Sequence, residues 1–237
     1  MNIFYTPDVI ASNYVLNEEE SAHCTRVLRL GKGHTVHLAD GRGTLYTARI
    51  IAAHPKACMV EIISKEEHYK PNPYRLHMAI APTKSIERFE WLLEKITEIG
   101  VGEITPLLCE HSERRVLKQE RVEKVLVAAM KQSQKAQLPL LHEMTPALDF
   151  VKKEFSGKKL MAHCAPGEKI ALPKALLGCR DALILIGPEG DFSTAEITAA
   201  IQHGFEAVNL GDTRLRVETA GIVACCQMHT QWQLRDN

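Results

Sequence analysis

Apolar and polar positions follow two different rhythms along this chain, and the change falls near residue 71. Before it, short runs alternate at the two-residue period of half-buried strands: "HTVHLA", "TLYTARII" and "ACMVEII". Val36, Leu38, Leu45 and Ile50 suit the inner face of a small barrel or sheet, and "DGRG" at residues 40–43 is a turn joining the first two runs. Ahead of them, "NEEESAHCTRVLRL" predicts a short helix with Asn17 as its N-cap and Glu20 three positions on, close to a capping box. "KEEHYKPNPY" then gathers charge and two prolines, the composition of a linker. The pattern predicts a β domain over residues 1–70 and a second domain over 71–237.

From Tyr74 onward, buried-strand runs alternate with stretches of helical period. "YRLHMAIA", "GEITPLL", "KKLMAHC", "DALILI" and "AVNLG" read as strands. "SIERFEWLLEKITEIG" reads as a helix, with Ile86, Phe89, Leu93 and Ile96 on one side and Gly100 as its stop. "KQERVEKVLVAAMKQSQKA", "TAEITAAIQHG" and "ETAGIVACCQMHTQW" are the remaining helices. Strands alternating with helices imply an α/β fold whose parallel sheet is covered on both faces. Loops at the carboxyl ends of such strands form the ligand crevice. Three of them carry glycine and polar residues: "AHCAPG", "GPEGD" and "LGDTRLR".

The second of these loops poses a chemical question. Gly187 and Gly190 permit a sharp turn and close approach to a ligand, as in phosphate cradles, yet Glu189 and Asp191 are both acidic. A carboxylate beside a bound phosphate costs on the order of 1 to 4 kcal/mol per close pair. There is no G-x-G-x-x-G and no G-x-x-x-x-G-K-[ST] motif. A neutral or positive ligand held by backbone groups fits better. Ser193 and Glu196 form an S-x-x-E box that starts a helix at Thr194. On its own the loop reads equally well as a tight strand-to-helix connection. Three irregular loops at one sheet edge favour a pocket. Arg214 and Arg216 would bring positive charge to a rim that also holds Glu189 and Glu218. The competing reading of these charges is a surface ion-pair cluster, worth about 0 to 1 kcal/mol per exposed pair.

Composition narrows the class further. The chain is 45% apolar and 24% charged, as folded domains are. Its 29 basic residues balance 29 acidic ones, so the bulk signal of nucleic-acid binding is missing, although a local patch would suffice. Seven cysteines without a Cys-x-x-Cys pair suggest free thiols in a reducing, cytoplasmic setting. His34 and His37 lie three apart in a strand-like segment and point to opposite faces, so no metal site is expected. "MNIFYTPDVI" has no signal-peptide character, and no stretch approaches the roughly 20 apolar residues of a membrane helix, so no membrane partner is expected.

"LILIGPEGDFSTAEI" followed by "LGDTRLRVETAG" resembles the signature pair of the SPOUT RNA methyltransferases, and more narrowly the RsmE family, which methylates N3 of a uridine in 16S ribosomal RNA of the small subunit. "HCTRVLRLGKGHTVHLADGRGTLYTARI" is similar to the family's PUA-like barrel, and Lys84, Arg88, Lys95, Glu98, Gly100 and Val101 match its first long helix. The chain departs from the family at Asp191, where many members have Gly, and at Thr213 to Arg216, where many have Arg-Ile-Leu-Arg. Gln132, Ser133, Gln134 and Lys135 stand for Gln-Ser-x-Arg, and Lys135 lacks the fork geometry of arginine.

The resemblance implies S-adenosyl-L-methionine as cofactor, bound by Ala162, His163, Ile186, Gly187, Pro188, Glu189, Gly190, Leu210, Gly211, Leu215, Thr219 and Ala220. Periodicity alone gives an unknotted Rossmann-like sheet, whereas the resemblance implies a SPOUT-type sheet with a C-terminal trefoil knot after the PUA-like barrel. It also implies a homodimer whose active sites draw on both subunits. Arg216 first and Arg214 second are the catalytic candidates, stabilising negative charge on the target base. The expected RNA contacts are Arg26, Arg29 and Lys32, extended by Lys84, Arg88, Arg114 and Arg115, with 16S ribosomal RNA in the small subunit as partner. Two other classes compete: a non-catalytic RNA- or nucleoside-binding α/β module, and a hydrolase using Glu189 and Asp191 as paired acids.

Overall fold

The computed structural model describes residues 1–234. Their contacts divide into two compact units: Met1–Pro71 with Val127–Leu138, and Asn72–Leu126 with the residues from Pro139 on.

The first unit is built on a five-stranded sheet of β1 (Ile3–Tyr5), β2 (Asn13–Val15), β3 (Thr35–Ala39), β4 (Leu45–Ala52) and β5 (Met59–Glu66), in the order β1-β3-β4-β5-β2. β1 runs parallel to β3, and the other pairs are antiparallel. Irregular register at Thr47/Ala48 and at Ile50/Ala52 bends the β4–β5 ladder and lets the sheet curl. Phe4, Val36, Leu38, Ile50 and Val60 are fully buried inside the curl. The turn after β3 places Gly41 and Gly43 at φ 75° and 99°, a region glycine reaches without strain.

Helix α1 (Glu18–Ala22) starts where Asn17 Oδ1 accepts the Glu20 amide at 2.8 Å, then passes into a π-helical turn at His23–Val27. The Glu20 side chain does not close a capping box. It accepts from the Tyr5 amide at 3.2 Å and from Lys131 Nζ at 2.6 Å, because a buried carboxylate needs charged and polar partners more than the helix end does.

The second unit holds β6 (Arg75–Ile80), β7 (Glu103–Leu108), β8 (Leu140–Leu141), β9 (Thr145–Pro146), β10 (Lys158–Ala162), β11 (Ile170–Ala171), β12 (Asp181–Ile186) and β13 (Glu206–Asn209). The sheet order is β11-β13-β10-β12-β6-β7-β8, parallel throughout, with β9 paired to the far end of β7. Its helices are α2 (Ile86–Ile99), α3 (Gln119–Gln132), α4 (Ala147–Phe150), α5 (Leu172–Ala175), α6 (Thr194–Gln202) and α7 (Val217–Gln233). α3 belongs to this unit only as far as Leu126.

β12 shows why its sequence is an unbroken apolar run. Leu183 and Leu185 face a core with Phe150, Phe192 and Phe205, while Ala182, Ile184 and Ile186 alternate to the other face, and all are buried. On that second face α7 approaches closely. A Cβ on Gly221 would lie 2.6 Å from Leu92 Cδ1 and 3.0 Å from Ile80 Cδ1, so any larger residue there would make these buried side chains shift. α2 begins at the Ser85 cap and stops at Gly100, whose φ is 135°. No helix among the described residues is long and apolar enough to cross a membrane.

Register then sets up the site. Ala162 at the end of β10 stands opposite Ile186 at the end of β12 and Val208 near the end of β13. Three adjacent strands therefore finish level with one another, and the loops leaving them share one edge of the sheet.

Candidate active site

The three loops enclose a cleft of about 660 Å³, the size of a small-molecule site. The β10 loop contributes Ala162 and His163, and the β12 loop contributes Ile186, Gly187, Pro188 and Glu189. The β13 loop adds Leu210, Gly211, Leu215 and both arginines, Arg214 and Arg216, and Ala220 closes the wall from α7. Two of the expected residues are not on the lining. Gly190 turns away, where its carbonyl lies 3.1 Å from His111 Nδ1, and Thr219 is exposed on the first turn of α7. Asp191, Cys164, Lys169, Asn209 and Asp212 do line the cleft. All but Lys169 sit beside expected residues in the same loops, and Lys169 lies outside any motif.

Glu189 and Asp191 answer the question of charge. Glu189 Oε1 accepts the Lys84 amide at 3.0 Å, so one carboxylate ties its loop to the segment entering α2. Asp191 has φ 63°, the left-handed conformation that glycine adopts freely and that Asp and Asn tolerate best among other residues. Its Oδ2 accepts the Cys164 amide at 2.7 Å, and its Oδ1 accepts the Phe192 amide at 2.9 Å. The side chain thus clamps the β12 loop to the β10 loop. Replacing Asp191 by Ala removes both bonds and keeps the backbone strain, whereas Gly removes the bonds and the strain together. Asp191→Ala is expected to cost roughly 1 to 2 kcal/mol and Asp191→Gly less, read as the order of melting temperatures.

The helix after this loop is capped as expected. Ser193 Oγ accepts the Glu196 amide at 3.3 Å while Glu196 Oε2 accepts the Ser193 amide at 2.8 Å. The second Glu196 oxygen takes the Glu110 amide at 2.9 Å, anchoring the strand end of β7 as well.

His163 is a polar group of the cleft whose side chain has no hydrogen-bond partner among the described residues. Both its ring nitrogens are buried and unbonded, and burial, aided by the charge of Lys169, lowers its pKa from the usual histidine value. A neutral imidazole with two unsatisfied nitrogens on the wall of a cleft fits a ligand that donates and accepts hydrogen bonds. The two arginines differ in freedom. Arg214 Nη2 reaches the Glu189 carbonyl at 3.4 Å, whereas Arg216, the N-cap residue of α7, makes no side-chain hydrogen bond or ion pair among the described residues.

The basic residues expected to meet RNA fall in both units. Arg26, Arg29 and Lys32 are exposed in the first. In the second, Lys84 pairs with Glu113 at 2.8 Å, and Arg88 lies 4.0 Å from Glu218. Arg114 donates to the carbonyls of Thr83 and Lys84 at 3.0 and 2.6 Å, which makes it a brace for the loop before α2. Arg115 reaches the Glu110 carbonyl at 3.3 Å.

Comparison with known proteins gives a consistent result. Residues 70–229 match a family described as RNA methyltransferase domain, and residues 16–63 match RNA methyltransferase PUA domain. A ribosomal RNA small subunit methyltransferase E from Synechocystis is 30% identical over 235 residues, covering 93% of this chain and 74% of the relative. The crystal structure of a probable rRNA-methyltransferase from Porphyromonas gingivalis superposes with a TM-score of 0.91 at 40% identity, covering 99% of this chain and 100% of that one. A ribosomal RNA small subunit methyltransferase E from Neisseria gonorrhoeae, solved bound to S-adenosyl methionine, gives 0.88 at 26% identity, with 98% of each chain covered.

Proposed function

This chain belongs to the RsmE family of RNA methyltransferases, and from that premise we propose that it methylates N3 of a uridine in 16S ribosomal RNA, using S-adenosyl-L-methionine. The observation that carries the proposal is the cleft walled by the three loops, lined by an Arg216 that has no ion pair among the described residues. When bound, the cofactor supplies a methyl group activated by a sulfonium cation.

The chain's own residues fit that group. Backbone at Ile186, Gly187, Leu210 and Gly211 offers amides and carbonyls, and His163 offers two buried ring nitrogens. The carboxylates of Glu189 and Asp191 are already bonded to amides, so they order the wall without opposing a cationic ligand. An imide nitrogen is a weak nucleophile until its proton leaves, so negative charge builds on the base during transfer. We assign the stabilisation of that charge to the guanidinium of Arg216, with Arg214 second, both on the cleft lining. The target base must be splayed out of its surroundings to enter a cleft of this kind.

Arg26, Arg29 and Lys32 offer an exposed basic set on the first unit for the RNA backbone, a contact that weakens with salt. Lys84, Arg88 and Arg115 could add to it, although each already has a protein partner. Assembly as a homodimer and action in the cytoplasm on the small subunit are carried by the family resemblance.

The experiment is transfer of labelled methyl from S-adenosylmethionine to small ribosomal subunits lacking the modification, followed by mapping of the modified nucleoside. Label at uridine N3 is the expected result. Cofactor binding without any transfer would favour the non-catalytic module.

A further inference from the structure

A second polar cluster lies on the same sheet, at the amino-terminal end of β7 and so away from the cleft. His77 on β6 and Glu103 at the start of β7 are partners in register, which puts their side chains next to each other on one face. His142 follows β8, where its amide bonds the Ile104 carbonyl at 2.9 Å. One ligand atom from each of these residues lies within 4.8 Å of the other two.

The hydrogen bonds account for part of this cluster. Arg75 Nε donates to Glu103 Oε1 at 3.0 Å, and His142 Nε2 lies 3.0 Å from Oε2. His77 Nε2 is 2.8 Å from Thr105 Oγ1. His77 Nδ1, on a buried ring, faces Glu103 Oε2 at 3.8 Å, too far for a hydrogen bond. His77 Nδ1 and His142 Nε2 therefore both face Glu103 Oε2, at 3.8 and 3.0 Å, with the two rings stacked at 5.2 Å.

We propose that His77, Glu103 and His142 bind a divalent first-row transition ion of the zinc class. Zinc holds histidine nitrogen and carboxylate oxygen at about 2.0 to 2.2 Å, which in a tetrahedral site sets ligand atoms about 3.3 to 3.6 Å apart. The separations of 3.0 and 3.8 Å about Oε2 lie on either side of that spacing, within a few tenths of an ångström. The surroundings match what metal ligands need. Thr105 holds the outer nitrogen of His77, and Arg75 holds the other oxygen of Glu103, so both ligands are oriented from behind. Phe150 packs edge-on against the His77 ring at 5.6 Å, shielding the inner side, while His142 is partly exposed and leaves a path for the ion. Two histidines and one carboxylate form a set used for zinc and for ferrous iron. The ion would join β6, β7 and the segment after β8, independently of the methyl-transfer chemistry.

The full-length protein, stripped with a chelator and dialysed free of it, is titrated with Zn²⁺ by calorimetry and with Co²⁺ by visible absorption. The expected result is one ion per chain, a melting temperature raised by Zn²⁺, and a Co²⁺ spectrum without thiolate charge-transfer bands. His142→Ala, at the most exposed ligand, should keep the fold by circular dichroism and lose the binding; Glu103→Gln should weaken it. The proposal is overturned if wild-type protein shows no stoichiometric binding, or if His142→Ala binds as well as wild type. It is equally overturned if thiolate bands show that the exposed Cys164 or Cys226 holds the ion.

Discussion

Replacing Arg216 by Ala is expected to lower methyl transfer by about 10²- to 10³-fold, the scale seen when one preorganised donor to developing negative charge is removed. The structure explains why the loss should fall on turnover alone. Arg216 is the N-cap residue of α7 but makes no side-chain capping bond, and its guanidinium has no ion pair among the described residues. Its removal breaks no fold contact of that kind, so the melting temperature and S-adenosylhomocysteine affinity should stay near wild type. Lys at this position keeps the charge and loses the planar fork, so a partial rescue is expected. Arg214→Ala should act differently, because Arg214 holds the Glu189 carbonyl and its loss loosens the loop. Labelled-methyl turnover alongside calorimetry separates the two. A fall in affinity parallel to the fall in turnover would make Arg216 a binding residue instead.

Gly187→Ala is expected to damage both binding and stability. The added Cβ would lie 2.9 Å from Phe192 Cδ2, 3.0 Å from its Cε2 and 3.2 Å from its amide nitrogen. Phe192 cannot step aside, because it is buried in the core with Leu183, Leu185 and Phe205. Overpacking of this kind costs about 1 to 3 kcal/mol. Part of the adjustment must be taken by Gly187, Pro188 and Glu189, which line the cleft. If half of that cost falls on the bound conformation, affinity drops about two- to tenfold, since 1.4 kcal/mol is a factor of ten. Thermal melts and S-adenosylhomocysteine calorimetry read the two effects separately. Wild-type affinity in a folded Gly187→Ala protein would mean that the loop can relax away from the ligand.

Much of the fold was legible because long elements advertise their own burial. The apolar stripe of α2, the Asn17 and Ser193 caps and the unbroken run of β12 all appear where the pattern puts them. β1, β2, β8, β9 and β11, of two or three residues each, escaped it, because strands that short take their structure from the partner they pair with. Nor does a local pattern say that Val127–Leu138 groups with the N-terminal unit, since Met130 and Ala136 find their apolar neighbours in Ile3, Ala39 and Leu45.

The site divides in the same way. Its glycines, its arginines and the Ser193–Glu196 box are readable in single loops, and the family resemblance rests on those same residues. Asp191 is the instructive exception. In the sequence it is only a departure from glycine, while in the structure it adopts a glycine-like φ and reaches the Cys164 amide from the neighbouring loop. The His77, Glu103 and His142 group left no trace in spacing, because two strands and the segment after a third supply it.

By itself, then, the sequence determined the long strands and helices, their caps, and which loops carry glycine and charge. Those properties depend on each residue's own side chain and its near neighbours. Only the tertiary structure decided that β10, β12 and β13 end level, with Ala162 beside Ile186 and Val208. That register comes from hydrogen-bond ladders and side-chain packing between segments far apart in the chain, and it turns three separate loops into one cleft.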